Sequence, residues 1–210
     1  MNYFSNRFTY SPEREKSWKY LTHYLQEKFI VDDSVILELG AGYCSFINHV
    51  TASKKIALDI EPDFVRYAGS DIQTRVGNVT DLDWVSSNHI DVVFASNLLE
   101  HLCSQDLLIL FPEIFRILKP GGTFIVMQPN YRYAYREYFD DYTHKSIFSH
   151  ISLRDCLLNY GFEVTYIKKK FMPLTLKSRL SKLSFIIPLY LKLPYRFKAK
   201  QMLLVSVKPF

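Results

Sequence analysis

The 210-residue sequence has no run of about 18 apolar residues, the length needed to cross a bilayer as a helix. Its first ten residues, Met1 to Tyr10, are polar and aromatic and lack the apolar core of a secretory leader. No spanning segment or export signal is therefore expected, and the chain reads as cytoplasmic. Cysteine is scarce. Cys44, Cys103 and Cys156 form no CxxC pair and no metal-ligand spacing, and their odd number fits no disulfide framework, so they read as reduced thiols. Acid is missing from one end of the chain. The segment from Val164 to Phe210 has 11 Lys and Arg and no Asp or Glu, whereas the first 163 residues set 15 Lys and Arg against all 21 acids, a formal charge of −6. A neutral-to-acidic body thus carries a basic, aromatic end.

What is present suits one globular domain: 48% hydrophobic residues, 16% aromatic, no internal repeat and no low-complexity linker. Ser11-Pro12-Glu13 reads as a helix start, with Trp18, Leu21, Leu25 and Phe29 forming one apolar face up to about Lys28. Short apolar runs then alternate with helix-like segments. Strands are predicted at 35–39, 56–59, 75–76, 91–95 and 123–128. Helices are predicted at 44–50, 63–68 and 105–118, the last stopped by Lys119-Pro120-Gly121-Gly122. Residues 129–149 break the rhythm with six aromatics from Tyr131 to Tyr142, and read as an insertion over the sheet edge. A helix over 152–160 and closing strands at 162–169 and 201–208 follow. This alternation predicts a mostly parallel sheet covered on both faces.

The strongest local signal is Glu38-Leu39-Gly40-Ala41-Gly42-Tyr43-Cys44, placed between a strand and a predicted helix. Glycines there permit a tight turn and close approach of a ligand, and the helix N-terminus would offer free N–H groups to an anion. Cys44 stands where a dinucleotide pattern has its third glycine. Asp59 ends the next strand, 17 residues after Gly42, where a carboxylate can accept both hydroxyls of a ribose.

With VILELGAGYCSFI, ALDIEPD, GNVTDLDW, DVVFASNLLEHL and ILKPGGTFIVMQPN in this order, residues Val35 to Asn130 resemble the class I S-adenosylmethionine-dependent methyltransferases. The resemblance implies an α/β fold: a Rossmann-like, mostly parallel seven-stranded sheet with helices on both faces and an antiparallel closing strand. It implies a single domain over 1–210, with an N-terminal helix region at 1–33, a cofactor-binding core at 34–130, a substrate-side insertion at 131–150 and a basic aromatic insertion at 171–200. It implies S-adenosyl-L-methionine as cofactor. Glu38, Gly40 and Gly42 would shape the methionine pocket, Asp59 would hold the ribose, and Asn78 and Val79 would flank the adenine, although many relatives have Asp where Asn78 stands. Ser96 and Asn97 would line the pocket near the sulfonium.

A sulfonium methyl is already electrophilic, so the protein has to align the acceptor, exclude water and, for a hydroxyl, take up a proton. Candidate bases are Glu100, His101, Asp141 and His144, with His144 and His101 preferred as catalytic residues. Glu100-His101 resembles the quinone-pathway O-methyltransferases, some of which bind a divalent metal through Glu-x-x-Glu-His. Here Asn97 occupies the first Glu position, and no metal is expected. The insertion and the ending resemble bacterial methyltransferases associated with glycan and polysaccharide biosynthesis, which implies O-methylation of a sugar, glycan or related small-molecule hydroxyl. Arg132, Tyr133, Tyr135, Tyr138 and Tyr142 would then bind substrate. Acceptors of RNA or quinone/lipid type, and a catalytically silent cofactor-binding scaffold, stay open as alternatives. No nucleic-acid partner is expected, because no RNA-binding module is recognisable. The basic segment leaves room for peripheral contact with the inner face of the membrane.

Overall fold

A computed structural model describes residues 10–174 and 186–210. The first helix, α1 (Pro12–Phe29), begins where its chemistry dictates: the Ser11 hydroxyl accepts from Arg14 N–H at 3.4 Å, Pro12 occupies the first turn, and Glu13 and Glu15 sit at the positive end of the dipole. Its apolar stripe, Trp18, Leu21 and Leu25, is buried.

Seven strands follow: β1 (Val35–Leu39), β2 (Lys54–Asp59), β3 (Ile72–Val76), β4 (Ile90–Ser96), β5 (Leu118–Pro129), β6 (Glu163–Lys168) and β7 (Gln201–Val207). They form one sheet in the order β3-β2-β1-β4-β5-β7-β6. The pairs from β3 to β5 are parallel, and β7 lies antiparallel between β5 and β6. Helices α2 (Ser104–Ile117) and α4 (His150–Asn159) cover one face, and α1 and α5 (Ile187–Lys192) the other. The pleat sorts β1 accordingly. Leu37 and Leu39 enter the α2–α4 core with Phe111 and Ile114, while Ile36 enters the α1 core with Trp18 and Phe46. Each such side chain contributes about 1.5–3 kcal/mol of burial. The Rossmann-like class I methyltransferase architecture expected from the sequence is the one observed.

Two expectations need correction. Residues 44–50 are not an α-helix but a series of turns. Cys44 sits at φ 55°, outside helical dihedrals, and the Glu38 carboxyl takes the Ile47 N–H at 3.1 Å, which removes a donor from any helical ladder. The segment 129–149 does not lie over a sheet edge, because β5 is an inner strand. It folds as α3 (Tyr131–Ala134) and a 3₁₀ turn (Tyr138–Asp140), and then crosses to the loop after β4. Of the basic aromatic insertion, 175–185 lie outside the described residues. Its remainder is tied down by Arg196, a buried cation that donates to the carbonyls of Phe171 and Leu191 and lies over the rings of Tyr24 and Phe171.

Candidate active site

Strand order reverses between β1 and β4, because β2 and β3 lie on one side of β1 and β5 on the other side of β4. Ligands of open α/β sheets sit at the carboxyl ends of the strands at such a switch point. The loop after β1 begins there. Gly40 (φ 68°) and Gly42 (φ 53°) both take left-handed dihedrals, and the N–H groups of Gly40 and Ala41 both donate to the Leu58 carbonyl, at 2.8 and 3.1 Å. A Cβ on Gly40 would take a left-handed φ and stand 3.0 Å from Leu98 Cδ1, so glycine lets this loop press against the turn after β4. Glu38 is buried beneath the loop. Burial pushes its carboxyl well above the usual carboxylate range.

Asp59 closes β2 on the other side of the loop. Its carboxylate accepts from Gly42 N–H at 2.8 Å and Glu61 N–H at 2.9 Å, and so joins the glycine loop to the next turn. Burial raises its pKa, and these backbone donors oppose the rise. Each oxygen keeps lone-pair capacity for a hydroxyl donor. Beyond β3, Asn78 accepts from Thr80 N–H at 3.0 Å and Val79 is buried in the core. Sequence reasoning missed the contribution of α1. Its Arg14 guanidinium lies 5.6 Å from the Tyr43 ring centroid, and Glu15 accepts from Ser45 Oγ at 2.5 Å, which fixes the helix against the loop. Tyr10, Tyr43 and Tyr67 cluster at the same place, with centroids 4.7–5.8 Å apart. No spacing rule links residues 10, 14, 43 and 67. Together these groups fit an adenosyl sulfonium ligand: a carboxylate for a diol, a cation for a carboxylate, aromatic rings and a loop that admits close approach.

At the end of β4, Asn97 adopts φ 50°. Its Nδ2 donates to Ser96 Oγ at 3.2 Å and its Oδ1 accepts from Gln201 Nε2 at 2.9 Å, so β7 holds its orientation. The next residues form a 3₁₀ turn (Leu99–His101), and the insertion is clamped onto it. Lys145 and Ser146 N–H donate to the Glu100 carbonyl at 2.7 and 3.1 Å, and Ser146 Oγ donates to Leu102 O at 2.7 Å. This clamp brings His144 beside His101, with ring centroids 4.8 Å apart. Thr143 Oγ1 lies 2.9 Å from His101 Nδ1 and donates to Asp141 Oδ1 at 2.7 Å. Burial, aided by His144, holds His101 down to about 4, so it is neutral at pH 7. Burial pushes the Glu100 carboxyl up to about 8.

The sequence-predicted substrate residues divide. Arg132, Tyr135 and Tyr142 are exposed, and Tyr133 is half-buried between the His150 ring, stacked at 6.1 Å, and the Lys170 ammonium, 4.6 Å from its centroid. Tyr138 instead turns inward. It is fully buried, donates its hydroxyl to Ser146 O at 2.6 Å and packs against His144 at 4.6 Å. Its place in an alternating run of tyrosines could not reveal that the chain turns inward there.

Comparison with known proteins agrees with this geometry. Residues 37–126 match the family described as a methyltransferase domain. A probable S-adenosylmethionine-dependent methyltransferase of Mycolicibacterium smegmatis is 35% identical over 96 residues, 43% of this chain and 35% of that protein. A methyltransferase-like protein of Schizosaccharomyces pombe is 28% identical over 109 residues, 49% of this chain and 41% of its own. The chain thus spans less than half the length of these curated relatives. Among solved structures, a methyltransferase in complex with the Trm112 activator of Haloferax volcanii superposes with a TM-score of 0.70 at 18% identity, over 95% of each chain. Over residues 37–126, less than half of its length, the chain is thus similar to a methyltransferase domain, for which S-adenosyl-L-methionine is the fitting cofactor, and the solved structures share its fold.

Proposed function

We propose that the protein transfers the methyl group of S-adenosyl-L-methionine to a hydroxyl of a sugar, glycan or related small acceptor. One observation carries this reading: Glu100, His101 and His144 converge where the insertion is clamped onto the turn that follows β4. An amine acceptor attacks as its free base, whereas a hydroxyl has to lose a proton in the transfer itself, and a cluster of titratable groups at the transfer side suits this second case. The chain's residues then divide the work. Asp59 accepts the ribose hydroxyls, Arg14 faces the methionine carboxylate, and Gly40 and Gly42 let the backbone approach. Ser96 and Asn97 line the sulfonium side. Tyr133, Tyr135, Tyr142 and Arg132 offer flat rings and a planar cation to a sugar and any acidic group on it.

The test is incubation with methyl-labelled cofactor and cell extract, followed by fractionation into glycan, lipid, RNA and small molecules. Label on a glycan or small-molecule hydroxyl supports the reading, and label confined to RNA overturns it. Cofactor binding without any transfer would make the protein a scaffold. His144→Ala should lower the transfer rate by about 10²–10⁴-fold while cofactor affinity stays within twofold.

A further inference from the structure

We propose that Glu100, His101 and His144 form a binding site for one divalent transition-metal ion of the zinc class. Their ligand atoms all lie within 4.8 Å of one another. Bonds of 2.0–2.2 Å in tetrahedral array place ligands about 3.4 Å apart, so side-chain torsions of modest size close the set. Two imidazoles and one carboxylate suit zinc and its neighbours, whereas magnesium and calcium prefer oxygen alone.

Two further observations point to an occupant. Glu100 is 1% exposed, and neither of its carboxylate oxygens has a hydrogen-bond partner among the described residues. Buried carboxylates are normally paired or bound to metal. The hydroxyl of Thr143 gives its one proton to Asp141 Oδ1, so toward His101 Nδ1 it acts as acceptor. A carboxylate–hydroxyl–imidazole relay of this kind is how proteins orient a metal-bound histidine. Asn97 breaks the ligand cluster only when ligands are counted along one loop. The third ligand comes from the insertion, 43 residues after His101.

Three protein ligands leave a fourth position for water or an acceptor oxygen. Its use by an acceptor rests on the methyltransferase reading, but metal binding does not. The test therefore uses the full chain without tag, cofactor or acceptor, stripped with chelator and titrated with Zn²⁺ against a competing zinc indicator. One equivalent should bind. Glu100→Gln and His144→Gln should each weaken binding by at least about tenfold, and Thr143→Val, which removes no ligand, by about tenfold. Millimolar Mg²⁺ should not displace the ion. Near-UV circular dichroism checks folding, and if Glu100→Gln does not fold, His144→Gln and Thr143→Val decide. Failure of the wild type to bind, an affinity unchanged in those two variants, or displacement by Mg²⁺ overturns the site.

Discussion

Asp59 does two jobs with one carboxylate. It joins the Gly42 amide to the Glu61 amide, and in the proposed complex it also accepts the ribose hydroxyls. Asp59→Ala should weaken S-adenosyl-L-methionine by about 1–3 kcal/mol, measured by calorimetry. Unchanged affinity would remove it from the ribose role. Glu38 behaves differently, because it is buried under the loop and accepts from the Ile47 amide. Its folded-state pKa is raised, so the folded chain holds this proton to higher pH than the unfolded chain does. A cost therefore builds as pH rises above its ordinary value of 4.5. Glu38→Gln keeps an acceptor for Ile47 and removes the charge. The variant should match the wild type in thermal stability near pH 5 and exceed it by at least about 3 °C at pH 8, which corresponds to about 1 kcal/mol for a chain of this size. Equal melting temperatures at pH 8 would show that Glu38 is solvated in the folded state.

Strands and long helices were legible because their signals are local. Ser11-Pro12-Glu13 begins α1 where its capping predicts, and the apolar runs of β1, β2 and β4 fall within a residue or two of their predicted bounds. The loop after β1 was legible as a turn but not in its continuation. Glycine spacing cannot show that Cys44 takes a left-handed conformation or that Glu38 captures Ile47 N–H. The meeting of His144 with His101 depends on a clamp to the Glu100 carbonyl, and backbone hydrogen bonds between distant loops leave no residue pattern. Gly40 concentrates the constraints of this loop. An alanine there would take a φ of 68° and press its Cβ on Leu98. Gly40→Ala should cost about 1–2 kcal/mol of stability and loosen the cofactor loop with it. Chemical denaturation together with cofactor titration checks both effects, and a variant as stable as the wild type would show that Leu98 simply moves aside.

At the scale of the molecule, sheet topology and charge segregate in different ways. The switch point between β1 and β4 gathers the groups proposed to hold the cofactor, and β7 ties the closing segment to them through Gln201 and Asn97. The basic end has two parts. Arg196 is structural, and Lys200 pairs with Glu137. Lys192 and Lys198 remain exposed beside Leu189, Leu193, Tyr195 and Phe197, four apolar side chains that are 42–70% exposed. Cations interleaved with aromatic and aliphatic groups on one stretch suit an anionic bilayer surface, where each lysine near the surface adds about 1 kcal/mol and rings seat at the headgroup level. Among the described residues no helix is long and apolar enough to cross a membrane. We predict that the protein floats with vesicles containing phosphatidylserine and not with purely zwitterionic vesicles. Raising salt should release it, because screening acts on the lysines. Tyr195→Ser with Phe197→Ser should reduce flotation at low salt without changing cofactor affinity, since neither ring is part of the loop around Asp59. Equal flotation with both vesicle types, or none with either, would reduce this surface to a solvated cap over β7.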